Sequence, residues 1–377
     1  MNERKIRSYN RELEELNPTA VCAFDDEFGY IGARLAEREG DLQWFRLRYW
    51  DYAKKLRMKP LYTRYLKQFH FDFIERQSLN AIASSRDEVG LVACHSGSFD
   101  NIASFFTLLL SHPKVLPGVG DPSREKDWIL SLKDCDWSAS WSAILENIDM
   151  RETPPPNYPI DPDRALFAHS LAILAMDFLF FHEIGHLVGG HLEFLRGDAK
   201  VGGLEEVAFN ARSRLTPLDY QALELNADSH AVVTMTREWF MLPDILPESW
   251  TFTTATEAIE SLVLAMLSLF IMFDRTASSV KYYDSARHPH PAVRLANVFH
   301  GTCQLAKRHG PETLKKTESA WALGFDRAFQ MCSRLGVGAS VWHVAEYEME
   351  AVFESFDRTA KHFQVVDKQL RPDLKRG

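Results

Sequence analysis

Apolar and polar positions follow two rhythms along this chain. Phe69, Phe71 and Phe73 alternate with polar neighbours, a period of two that predicts a strand. Two further strand-like segments, Ser78–Ser84 and Glu88–His95, are separated by Ser85-Arg86-Asp87 and predict a hairpin or meander. Within the second, Val89-Gly90-Leu91-Val92-Ala93 is almost wholly apolar, as in a strand covered on both faces. Elsewhere the rhythm is helical. The first 70 residues read as helix, and Asn101–Leu110 reads as another before the Pro- and Gly-rich Ser111–Pro122. Arg151–Arg164 carries Pro154, Pro155, Pro156, Pro159 and Pro162 and is the clearest linker. Asp163 is placed to cap a helix over Arg164–Phe194. Thr216 followed by Pro217 starts the next helix, which Pro243 and Pro247 end. Later helices are predicted over Thr254–Phe273, Pro291–Lys307, Glu312–Cys332 and Ala339–Lys361.

The pattern gives a mainly α fold of the α+β class, with a small sheet before a helical core. It divides into a helical N-terminal region (1–68), a core domain (69–308) and C-terminal helices packed on the core (309–377). Composition changes this picture little. With 377 residues, 46% hydrophobic and 25% charged, the chain is neither disordered nor a disulfide-stapled miniprotein. Lys and Arg total 43 against 52 Asp and Glu, a net charge of −9, so no nucleic-acid partner is expected. Trp44–Phe69 is a local exception, with eight Lys or Arg and one Asp among its aromatics. It reads as an amphipathic helix that packs its aromatics on the core and keeps its cations in water. Binding to RNA or to a membrane surface is the less favoured reading.

The five cysteines, Cys22, Cys94, Cys135, Cys303 and Cys332, are far apart and form no CxxC pair, which predicts reduced thiols. The charged N-terminus, MNERKIRSYNRELEEL, lacks the apolar core of a signal peptide, so a cytoplasmic location is expected. Ala165–Phe181 is interrupted by His169 and Asp177, and Ser261–Phe273 closes at Asp274. Both are expected to be buried core helices, with no transmembrane span.

One pattern carries chemistry. His182-Glu183-Ile184-Gly185-His186 is an HExxH inside a predicted helix. At about 100° per residue, the two histidines stand about 40° apart around the axis, one turn apart, and both can reach one metal ion. Glu183 flanks the same face, where a carboxylate can take a proton from a water that zinc activates. Gly185 and Gly189-Gly190 allow close packing. Downstream, LDYQALELNADSHAVV places Glu224 and Asp228 four apart on one helix face. Glu224 would complete a His₂Glu set for one zinc per chain, and Asp228 would accept a hydrogen bond from a ligand histidine. A histidine ten residues after His182 is absent, since that position is Leu192. His191 would point about 180° from His182 on a continuous helix, so it either supports a ligand or caps carbonyls near Gly189-Gly190.

HEIGH followed by ELNAD resembles the gluzincin metallopeptidases, which include the Ste24 and HtpX proteases. Ser78–Ala83 with Glu88–Ala93 is similar to their strand before the active-site helix, and Arg287-His288-Pro289-His290-Pro291-Ala292-Val293-Arg294 is similar to their later His-Pro element with an Arg six residues on. The match runs from about Leu79 to Arg294. It implies a zincin-like catalytic core and hydrolysis of peptide bonds, with Glu183 as general base, His288 beside the oxyanion and Arg294 in support. His290, Tyr282 and Tyr283 are alternatives to His288. Lacking membrane spans, the chain is also similar to the Lit-type phage-exclusion peptidases, which cut a translation factor. That implies a specific intracellular protein substrate, a setting in phage exclusion or a stress response, and an activating partner. An extended substrate gains most by pairing with a free strand edge, which predicts that Val89, Gly90 and Leu91 lie on an edge flanking the metal. The competing reading is a non-catalytic interaction protein whose zinc staples the core, with His191 or His230 as a fourth ligand.

Overall fold

Three strands form first, and their pairing is not a meander. In the computed structural model, which describes residues 18–28, 44–46, 48–49, 52, 68–86, 89–126, 158–197, 203–205, 215–241, 252, 254–273, 280–335 and 347–370, β1 is Gln68–Ile74, β2 Ala81–Arg86 and β3 Val89–His95. β2 and β3 make the expected hairpin, with Arg86 opposite Val89. Glu88 of the expected strand lies outside the described residues. β1 lies parallel to β3, from Gln68 opposite Val89 to Ile74 opposite His95. A short β4 (Gly203–Glu205) pairs antiparallel with β2, and the sheet order is β1-β3-β2-β4.

This order corrects the expected edge. Val89 sits between Gln68 and Arg86, Gly90 between Phe69 and Ser85, and Leu91 between His70 and Ser84. Both backbone sides of β3 are therefore paired. The apolar run was a sign of burial on both faces, and a strand so covered is stable in the middle of a sheet.

Helix α1 (Pro18–Phe28) closes one face of the sheet, packing Ala20 and Phe24 on Ile74, Ile82, Val89, Leu91 and Ala93. The other face, with Phe69, Phe71, Phe73, Val92 and Cys94, joins the main core. That core is built on α2 (Ser96–Leu110) and the long α3 (Pro162–Val188). After α4 (His191–Gly197) come α5 (Pro217–Met241), α6 (Ala255–Phe273), α7 (Pro291–Arg308), α8 (Pro311–Leu335) and α9 (Met349–Leu370). α3 packs against α2, α5, α6, β2 and β3; α8 lies on α6 and α7, and α9 on α5 and α7. Of the helix expected over Ala339–Lys361, residues 339–346 lie outside the described residues, and α9 runs on past Lys361 to Leu370.

By length and composition α3 and α6 could cross a membrane, but 83% of the apolar window of each is buried inside this fold. The cap of α3 is Asp161 rather than Asp163: its side chain accepts from the backbone N–H of Asp163 (3.1 Å) and Arg164 (3.2 Å), with Pro162 as the first helical residue. Thr216 caps α5 as expected, its hydroxyl accepting from Asp219 N–H while Asp219 accepts from Thr216 N–H.

Two buried charges tie distant segments to α3. Arg164 is fully buried and donates to the carbonyls of Leu110, His112, Val115, Leu116 and Val119 at 2.8–3.1 Å. Glu125 lies 3.7 Å from it and accepts from Ile160 N–H and Asp161 N–H, both at 2.9 Å. From the aromatic-basic segment, Phe45 and Tyr49 are buried, and Tyr49 stacks on Phe180 at 4.0 Å. Its cations do not all face water, as the composition had suggested. Arg46 reaches Asp72, and Arg48 reaches Asp177 in the middle of α3. Buried carboxylates are costly without a partner, and these two arginines supply it.

Candidate metal centre

α3 and α5 cross almost backbone to backbone. A Cβ on Gly185 would stand 2.9 Å from Ala227 Cα, so only glycine permits this approach. The crossing brings the HExxH turn of α3 against the ExxxD turn of α5. His182 Nε2 lies 3.0 Å from His186 Nε2 and 3.3 Å from Glu224 Oε2, and His186 Nε2 lies 3.5 Å from Glu224 Oε1. All three side chains are buried, and their ligand atoms fall within 4.8 Å of one another.

The chemistry of this donor set fits a metal ion. Asp228 takes two hydrogen bonds from the Arg294 guanidinium, at 2.9 and 2.7 Å, and is therefore an acceptor toward His182 Nδ1 at 2.8 Å. The proton of His182 thus sits on Nδ1, and Nε2 presents a lone pair toward the other two groups. Glu224 Oε2 is buried and receives no hydrogen bond. Burial alone would raise the Glu224 carboxyl, but the charge of the neighbouring His186 and His288 imidazoles, when protonated, outweighs it and holds the carboxyl well below the usual carboxylate range, so a positive charge at this point keeps it ionised. A lone pair facing an ionised carboxylate is an arrangement that a cation satisfies. Two imidazoles and one carboxylate are the donors zinc takes.

The sequence-predicted residues fall around this cluster in different ways. Glu183 is buried beside His182, within electrostatic reach of Cys94 at the end of β3. Burial pushes the Cys94 thiol up to about 12, with a hydrogen bond from Ser98 opposing and the Glu183 charge adding. Val89, Gly90 and Leu91 offer no free edge beside this cluster, since both backbone sides of β3 are paired.

His288 stands beside Glu224, with Nδ1 3.4 Å from Oε2 and a side chain 35% exposed, so it borders both the cluster and solvent. His290 is buried and caps α7, accepting from Ala292 N–H at 3.1 Å under the edge of Tyr283. Gln221 on α5 donates to the carbonyls of Tyr283 and Ala286 and fastens this loop. The Tyr282 side chain lies outside the described residues. Among the described side chains of this group, His288 is the one that stands beside Glu224.

His191 and His230 do not join the donor set, which among the described residues is His182, His186 and Glu224. Gly190, at φ +73°, breaks the helix, so His191 does not point away as a continuous helix would require. Its ring lies behind His186, Nδ1 to Nδ1 at 2.9 Å, and its Nε2 is 3.0 Å from Asn226 Oδ1. Burial and the adjacent His186 push the His191 imidazole well below its ordinary pKa. Asn226 had no assigned role in the sequence reading. The available signal was an Asn, a weak helix former, inside a helix between two functional carboxylates.

Residues 125–309 match the family model described as Peptidase U49, a stretch that contains both metal helices and the Arg287–Arg294 element. The match supports a peptidase function, and a peptidase implies a protein substrate. No curated protein and no solved structure matches the chain.

Proposed function

We propose that the protein is a zinc-dependent metalloendopeptidase of the gluzincin type, with the metal held by His182, His186 and Glu224. The observation that carries this reading is the convergence of imidazole lone pairs and an ionised carboxylate at one buried point beside Glu183. Zinc bound there would polarise the scissile carbonyl and make an adjacent water more acidic. Glu183 takes the proton of the attacking water on its carboxylate and passes it to the leaving amine nitrogen. His288, beside Glu224 and half open to solvent, donates to the carbonyl oxygen as that oxygen gains charge. Asp228 and Arg294 hold the His182 ring in place throughout.

Among the described residues three protein donors leave a position for water and substrate, whereas a closed structural zinc takes four. That difference favours the enzyme over a zinc-stapled interaction protein. The Peptidase U49 match and the resemblance to Lit-type peptidases support a specific protein substrate in the cytoplasm, with phage exclusion as the setting and an activating partner as the restraint. The test compares new protein N-termini in cells expressing wild type or Glu183→Gln, with metal analysis of both purified proteins. Termini seen only with wild type, and about one zinc per chain in both, are the expected result. Identical termini in the two strains would refute the peptidase reading.

A further inference from the structure

The two ligand histidines are backed by different chemistry. Behind His182 stands a charged pair, Asp228 with Arg294. Behind His186, at its far nitrogen, stands a second imidazole followed by an amide. Two ring nitrogens 2.9 Å apart share one proton, so either His186 Nδ1 donates to His191 Nδ1 or the reverse. An imidazole cannot bind a metal through a nitrogen that carries hydrogen. Only donation from His186 to His191 leaves the lone pair on His186 Nε2, the atom that faces His182 and Glu224. His191 Nδ1 must then be an acceptor, which places its proton on Nε2, and Asn226 Oδ1 at 3.0 Å receives it.

We infer that Asn226 and His191 are positioning residues that set the tautomer of His186 through a neutral two-step hydrogen-bond relay. The backbone is shaped for it. Gly190, at φ +73°, turns the chain back after α3. A Cβ on Gly189 would meet His191 Nε2 at 2.4 Å, so the ring folds over a position that tolerates only glycine. Asn226 lies on α5 between Glu224 and Asp228, so one helix supplies a ligand and the groups that hold both histidines. The sense of the relay is set by the lone pair required on His186 Nε2, and the Asn226 carbonyl oxygen agrees with it by accepting from His191 Nε2.

The inference rests on the metal reading above, and the experiment separates the two. Zinc affinity is measured by chelator competition for wild type, His191→Phe, His191→Gln, Asn226→Leu and Asn226→Asp, alongside thermal unfolding of each apoprotein. Nitrogen NMR of labelled histidine reports the His186 tautomer in the apoprotein. His191→Phe keeps a ring but removes both nitrogens and is expected to weaken zinc binding about 10–100-fold. His191→Gln restores affinity, because its carbonyl oxygen accepts from His186 while its amide donates to Asn226. Asn226→Leu weakens binding, Asn226→Asp keeps it, and His186 carries its proton on Nδ1 in wild type. Wild-type affinity in a folded His191→Phe or Asn226→Leu protein, or a His186 proton on Nε2, would overturn the relay alone. A wild type that binds no metal would overturn the metal reading itself.

Discussion

α3 and α6 have nearly the same mean hydropathy over their apolar windows, 1.6 and 1.8, and are buried to the same extent. One carries the candidate metal centre and the other is packing. What separates them is where their ionisable groups sit. α6 keeps Glu257 and Glu260 in its first two turns and carries no charged residue from Ser261 to Phe273. Glu260 is buried near the start of the helix and is answered by Arg327, which is exposed to solvent. α3 places Asp177, His182, Glu183 and His186 in its second half, all buried. A polar group inside a buried helix costs several kcal/mol unless something answers it. Arg48 answers Asp177, Asp228 answers His182, and His191 answers His186. A hydrophobic helix that carries such groups in its middle is paying for chemistry, and its partners show which chemistry.

Substitutions on the two helices sharpen or break that contrast. The largest effect is expected from Glu183→Gln, which keeps shape and metal but cannot take the proton, and should slow peptide cleavage by about 10²–10⁴-fold. A wild-type rate in this variant would return α3 to the same status as α6. His182→Ala and His186→Ala should each lose the metal, measured by elemental analysis of the purified protein. Leu262→Ala, in the buried face of α6, should keep the metal while lowering stability by about 2–5 kcal/mol in denaturant titration. If it also lost the metal at temperatures where it stays folded, α6 would be part of the centre. Arg48→Met leaves Asp177 buried without its arginine. Since Arg48 is 30% exposed, the expected cost is about 1–2 kcal/mol, discounted from that of a fully buried pair. Arg327→Met, on the α6 side, should cost about 1 kcal/mol or less by the same titration, its side chain being 44% exposed. The reverse ranking of these two would show that position within the helix is not what sets the cost.

Much of the centre was legible in the sequence because helix geometry is fixed. A spacing of four puts two side chains on one face whatever surrounds them, so HExxH and ExxxD could be placed on facing helices before any fold was known. On those helices Asp228 stands against His182, and Arg294 of α7 against Asp228. The rest depended on relations that a local pattern does not carry. Val89-Gly90-Leu91 was rightly a strand, but its rank in the sheet is decided by β1, which joins it in parallel on the side away from β2. The path of His191 hinges on one positive φ at Gly190. Arg46 and Arg48 look like solvated cations until Asp72 and Asp177 are found beside them. Asp161 and Asp163 flank the same Pro162, and only the backbone direction chooses between them as the cap.

The clasp around Glu125 has a consequence for how the fold would come apart. One carboxylate grips the backbone ahead of α3 at Ile160 and Asp161, and Arg164 ties the first turn of that helix to carbonyls at the end of α2 and beyond it. A helix end is where fraying begins, and here it is held from both sides. Amide exchange at Ile160 and Asp161 should therefore be as slow as in the helix they precede.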